Sequence, residues 1–326
     1  MATVINDDLQ DRNIELTKPQ RVALADLAAS LLGAKSVNTS ELANVLPRDV
    51  KGPETRYRFI NRWLANSKIK PQNVMKGFVP EILKLLYSDK QTAVLIMDQT
   101  KISDGFECLM ISVRAGERAL PACWCVIQME GSIGFNIQKQ LLDRVTEMIP
   151  QGMEVLLAAD RFYGTSNLIR YCQNLGWRYR IRLKGNLILR EKGGEIQTKE
   201  LSSMGIEKVD KAELSNSGVF TSIGILHEEG HEEPWIIAMD CKANTARVLD
   251  YGLRWSIEPM FSDFKSRGFR ITQTQLQHAD RIERLLLIVA IAYYWAVSTG
   301  MMEDNIQEQP SKKKQQGVSC PISKED

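Results

Sequence analysis

Tyr251-Gly-Leu-Arg254-Trp255-Ser-Ile-Glu258-Pro-Met-Phe-Ser-Asp-Phe-Lys265 carries chemistry where an ordinary helix carries packing. At about 100° per residue, Arg254, Glu258 and Lys265 fall at roughly 300°, 340° and 320° from Tyr251. An amphipathic helix sets aliphatic residues on such a stripe and charges opposite. Here the stripe holds a phenol, two cations and one carboxylate. A solvated face laced with i,i+4 ion pairs is the bland alternative, but it leaves Tyr251 and Trp255 unexplained. Pro259 directly after Glu258 removes a backbone donor, so the helix is expected to kink or restart there. The single-face reading is therefore firmest for Tyr251, Arg254 and Glu258.

Two upstream aspartates give the stripe a context. Thr92-Ala-Val-Leu-Ile-Met-Asp98 and Glu154-Val-Leu-Leu-Ala-Ala-Asp160 are apolar runs ending in one acid, the pattern of buried strands with a carboxylate at the tip. Either alone reads equally well as a cap or turn residue. Three converging carboxylates without His or Cys form a hard oxygen donor set, suited to Mg²⁺ or Mn²⁺ rather than zinc. Two such ions about 3.5–4 Å apart activate the attacking oxygen and stabilise the leaving oxygen in phosphodiester chemistry.

From about residue 90 to 300 the chain resembles the DDE transposases of bacterial insertion sequences, in the cut-and-paste family marked by Tyr-x2-Arg-x3-Glu-x6-Lys. Tyr251, Arg254, Glu258 and Lys265 match that spacing. Asp98 in Met-Asp-Gln-Thr and Asp160 in Ala-Asp-Arg-Phe-Tyr-Gly match the two aspartates, and Arg180-Ile-Arg182-Leu-Lys184-Gly-Asn186 resembles the strand that follows. The resemblance implies a ribonuclease H-like catalytic core with a β-rich insertion. It implies that Asp98, Asp160 and Glu258 are catalytic and hold two Mg²⁺ ions, for which Mn²⁺ substitutes. It further implies nicking at the element ends, a hairpin intermediate and strand transfer into target DNA. Tyr251, Arg254 and Lys265 would grip phosphates, and Arg161 is a further phosphate candidate. Trp255 and Trp235 are candidates for stacking on an extruded base, with core packing an equal reading. The implied partners are double-stranded DNA with terminal inverted repeats, target DNA and a second copy of the chain. A host-adopted DNA-binding protein, or a ribonuclease H-like nuclease without transposition, is the alternative.

Periodicity agrees with a mixed α/β order. Strands are expected at 93–99, 106–114, 119–129, 154–160 and 178–183, with helices at 134–149, 165–176, 243–266 and 279–299. Residues 186–240 alternate in short runs and read as hairpins inserted into the core at 91–185 and 241–300. The apolar helix at 279–299 is short for a membrane span, which needs about 20 apolar residues, and reads as a core helix.

Residues 1–90 read as a helical DNA-binding domain, with helices at 20–32, 36–46 (Ser- or Thr-capped) and 55–67, the last carrying Arg56, Arg58 and Arg62. Solubilising charge on a small bundle is the plainer reading. The net charge of +2 over 326 residues hides segregation. Residues 161–199 hold nine Lys or Arg and two Glu, whereas 207–240 hold eight acids and two Lys. A basic stretch beside the second Asp suits phosphate.

Six cysteines form no Cys-x-x-Cys pair, fitting a reducing cytoplasm. The N-terminus is acidic and does not read as a secretion signal. His227-Glu228-Glu229-Gly230-His231 has zinc-protease spacing, but Gly230 and flanking strand patterns read as a polar hairpin tip. Residues 301–326 read as a disordered polar tail.

Overall fold

Apolar alternation and glycine turns build the first three strands as a meander, β1 (Ala93–Ser103), β2 (Phe106–Ala115) and β3 (Arg118–Gln128). The computed structural model describes residues 1–12, 14–49, 52–87, 91–191, 194–205, 207–227 and 233–307. Gly105 and Gly116 turn the two hairpins at φ +76° and +61°, a conformation that penalises a side chain. Strand β4 (Val155–Ala159) lies parallel to β1 with Ala159 opposite Met97. Strand β5 (Arg178–Arg182) runs parallel to β4. Both crossovers are helical, through α6 (Phe135–Thr146) and α7 (Ser166–Asn174). Every side chain of β4 is buried, as a central parallel strand requires. Asp98 and Asp160, the residues after the paired Met97 and Ala159, therefore emerge side by side.

The expected insertion hairpins are present, but they extend the core sheet. Strands β6 (Ile188–Glu191), β7 (Gly194–Gln197), β8 (Lys208–Leu214), β9 (Phe220–Leu226) and β10 (Trp235–Met239) join it in the order β3-β2-β1-β4-β5-β10-β9-β8-β6-β7. β10 pairs antiparallel with β5, setting Ala238 opposite Ile181. Its five residues are all buried, and such a strand needs a neighbour on each edge. Helix α8 (Thr198–Ser203) sits between β7 and β8.

Five helices precede the sheet: α1 (Ala2–Asp11), α2 (Lys18–Ala34), α3 (Thr39–Val45), α4 (Pro53–Leu64) and α5 (Pro71–Leu86). Periodicity did not pick out α1 or α5, and the cap of α3 differs from expectation. Asn38, not Ser or Thr, caps it by accepting from the amides of Ser40 (2.9 Å) and Glu41 (3.4 Å). Two short helices, α9 (Thr245–Leu249) and α10 (Ile257–Ser262), and the long α11 (Ala279–Gln307) follow the sheet region. The apolar side chains of α2, α5, β1–β3 and α11 form one continuous buried core. Residues 279–300 are long and apolar enough to cross a membrane, yet two-thirds of that stretch is buried inside the protein, as a core helix. Residues 301–307 continue α11, and the rest of the expected tail lies outside the described residues. So does the His227–His231 motif beyond His227, in the connection between β9 and β10.

Candidate active site

The signature stretch is not one α-helix. Residues Asp250–Ser256 form a 3₁₀ helix and the chain relaxes to α in α10, where Pro259 sits in the first turn and needs no donor. Residues three apart eclipse on a 3₁₀ helix, which stacks Arg254 over Tyr251. Four residues then carry the chain from Arg254, near the end of the 3₁₀ helix, to Glu258 in the first turn of α10. The shared face survives through a change of helix type rather than through a constant 100° step.

The helical path breaks at Lys265, although its charge still interacts with Asp98. The residue lies in a widened turn, Asp263–Arg267, with φ −90° and ψ −112°, so the break falls at the lysine itself and not at Pro259. Burial pulls its ammonium below the ordinary lysine range, against the attraction of Glu107 and Asp98. Gly268 closes this turn where a Cβ would lie 2.3 Å from the Asp263 carbonyl oxygen.

Arg254 gathers the acids. Its Nη1 donates to Asp98 Oδ2 at 3.0 Å, its Nη2 to Glu258 Oε1 at 3.1 Å and its Nε to the Tyr251 hydroxyl at 3.1 Å. That hydroxyl donates onward to Asp160 Oδ1 at 3.2 Å. One guanidinium and one phenol thus link all three carboxylates. Burial holds the Tyr251 hydroxyl protonated, pushed up to about 12, so it remains a donor.

Asp98 shows how tense the cluster is. Burial drives its carboxyl up to about 6, the Arg254 guanidinium beside it pulls it down, and the charges of Asp160 and Glu258 add to the rise. Clustered carboxylates in a dry site need a cation, and three hard oxygen donors suit Mg²⁺ or Mn²⁺. The donor chemistry therefore fits a divalent ion. The arrangement is nonetheless closed, because Arg254 stands between Asp98 and Glu258 as the cluster's own cation. Among the described residues, no three His, Cys, Asp or Glu side chains come together as a ready-made metal cage.

A groove of about 670 Å³ opens beside Glu258, walled by Trp255, Arg114 and Arg267. Trp255 is 41% exposed, and its ring meets Trp235 edge to face at 5.1 Å. Trp235 itself is buried against Tyr251, which favours the packing reading for that residue over base stacking. Arg161 leans away from the acids and pairs with Glu233 at 2.7 Å. Arg180 was not singled out from sequence. It is 1% exposed and ties β5 to Asp240 (2.8 Å), Asp250 (3.2 Å) and the carbonyl of Arg247 (2.9 Å), anchoring the start of the 3₁₀ helix. Its partners lie 60 and 70 residues away, so no local pattern announces it. Gly164 is equally constrained: a Cβ there would lie 2.3 Å from the Arg182 carbonyl oxygen, so the turn after Asp160 presses directly on the end of β5.

No curated protein matches the chain. Residues 136–295 match the model of the family described as the transposase DDE domain, a span that contains Asp160 and the whole Tyr251–Lys265 signature and begins after Asp98. The chain carries a transposase DDE domain over that span, and the match supports a DDE transposase of the insertion-sequence type.

Proposed function

We propose that this transposase cuts DNA at the ends of its element, frees a 3′-hydroxyl, passes through a hairpin and joins the freed end to target DNA, with Asp98, Asp160 and Glu258 as its catalytic and metal-holding residues. The single observation that supports this is the linkage of those three carboxylates by Arg254 and Tyr251 at one end of the parallel strands. When bound there, divalent cations would supply charge neutralisation at the reacting phosphate and a more acidic attacking oxygen. The chain's own residues do the rest. Arg254 exchanges carboxylate partners for a phosphate, which its planar fork grips bidentately. Tyr251 keeps Asp160 oriented. Lys265 offers a compact positive charge near Asp98. The groove beside Trp255 and Glu258 is where the scissile strand enters.

The N-terminal helices are the element-end reader in this proposal, with exposed Arg58, Arg62 and Tyr57 on α4 available to a groove or backbone. The strands of 186–240 are the insertion, the working form is a dimer on paired ends, and the protein acts in the cytoplasm on the nucleoid.

The test is a gel assay for Mg²⁺-dependent nicking and release of a flanked donor segment. Asp98→Asn, Asp160→Asn and Glu258→Gln should each slow nicking at least about 100-fold, equivalent to roughly 3 kcal/mol, with end binding retained. Near-normal nicking by any one of them rejects the assignment.

A further inference from the structure

A second cavity, of about 410 Å³, lies between the turn after β4, which follows Asp160, the loop after β5 and the start of α8. Arg161, Arg182, Lys184 and Lys199 line it together with Phe162 and Glu233. Four cations face one carboxylate. Glu233 pairs with Arg161 at 2.7 Å and reaches Arg182 at 3.8 Å. Lys184 and Lys199 have no carboxylate partner among the described residues. Phe162 is 50% exposed, an apolar ring left open to solvent. The Lys184 ammonium stands 5.3 Å from that ring's centroid and the Arg161 guanidinium 6.0 Å.

The cations sit on held backbone. The Lys199 amide donates to the Gly185 carbonyl at 2.9 Å, and the Thr198 hydroxyl donates to the Lys184 carbonyl at 2.6 Å. The close approach of Gly164 to Arg182 fixes the opposite wall. A cation excess alone is common on surfaces, where it is solvated. An open aromatic face among cations, on fixed backbone two residues from a proposed catalytic aspartate, is a complementary shape for a flat base with its phosphates.

We infer that this cavity seats a single-stranded segment of DNA, one base against Phe162 and its phosphates among Arg182, Lys184 and Lys199, with Glu233 holding the arginines as an internal phosphate substitute that the strand displaces. The inference rests on the transposase reading above and adds to it a second strand-binding site on the Asp160 side. Base–aromatic stacking and a cationic track are the usual means of holding unpaired strands. Glu233 is exposed, so its ion pairs are weak and readily exchanged for a phosphate.

The experiment uses the full chain and a short single-stranded oligonucleotide carrying 2-aminopurine, with affinity measured across a salt series. Wild-type protein should quench the probe. Lys184→Ala with Lys199→Ala should weaken binding at least about tenfold and flatten the slope of log affinity against log salt by about 1.4, the share of two phosphate contacts on a single strand. Phe162→Leu should remove most of the quenching, and Glu233→Gln should tighten binding. Unchanged affinity and slope in the double lysine variant overturns the site, as does a Glu233→Gln protein that binds no tighter. Circular dichroism establishes that the lysine variant is folded, and the exposed Glu233 provides an arm that leaves the core untouched. Saturating the protein first with element-end DNA distinguishes the source of the strand: exclusion of the probe assigns the seat to the element's own strand, and continued binding assigns it to target. Mg²⁺-dependent nicking by the wild type, measured in parallel, reads the transposase proposal separately.

Discussion

The two charged regions flanking Asp160 are built on opposite principles. Around Arg254 the cation is fully engaged from within: the guanidinium is 10% exposed and Asp98 19%, and every nitrogen of the fork has a protein partner. Around Phe162 the lining cations outnumber the lining acids, Glu233 is 67% exposed and two lysines have no carboxylate partner among the described residues. In the first region Arg254 must release its partners before it can grip anything else. The second is incomplete and awaits an anion from outside. Burial makes the difference, because a desolvated charge demands a partner while a solvated one does not.

The contrast breaks most visibly at Arg254. Arg254→Ala leaves a buried carboxylate without its cation and should cost about 3 kcal/mol of stability in chelator, read by denaturant unfolding. Added Mg²⁺ should restore part of that loss. A variant as stable as wild type without metal would make the engaged cation an accident of proximity. If the variant does not fold at all, Arg254 is structural first and its phosphate role falls.

A smaller effect comes from Asp98. Its carboxyl is raised from 3.8 to about 6, so the native state holds a proton that the unfolded chain has released between those values. Stability therefore falls as pH rises through that window and levels off above it. The wild type in chelator should lose on the order of 2 kcal/mol relative to Asp98→Asn from pH about 4 to about 6. Parallel pH curves would take Asp98 out of the dry centre.

The smallest effect belongs to the open side. Glu233→Gln should shift the unfolding free energy by less than about 0.5 kcal/mol, since exposed ion pairs contribute little. A loss of 2 kcal/mol or more would show that the second region is held together by its charges after all, and the contrast would dissolve.

How far the sequence could be read follows from the range of each interaction. Asp98 and Asp160 were legible because each closes a short apolar run, but only Asp160 ends its strand: β1 runs on to Ser103 and holds Asp98 mid-strand opposite Met110. Tyr251, Arg254 and Glu258 were legible because their spacing survives the change from 3₁₀ to α. The backbone break at Lys265 was not, because Asp263–Arg267 is shaped by distant packing, including the ion pair of Asp263 with Arg118. Helix α5 hid behind Pro80 in its interior. The insertion strands were seen individually, but their place in the core sheet depends on β10 meeting β5, a pairing of segments more than fifty residues apart. Arg180 was legible as part of a strand and illegible as an anchor for the same reason.

Gly164 leaves no slack between the turn that carries Asp160 and the strand end that carries Arg182. Any side chain at this position would wedge the two apart, so the loop that aims Asp160 keeps its seat on the strand end only while the residue is glycine. Glycine here is chosen for its lack of bulk and not for the backbone freedom it usually brings.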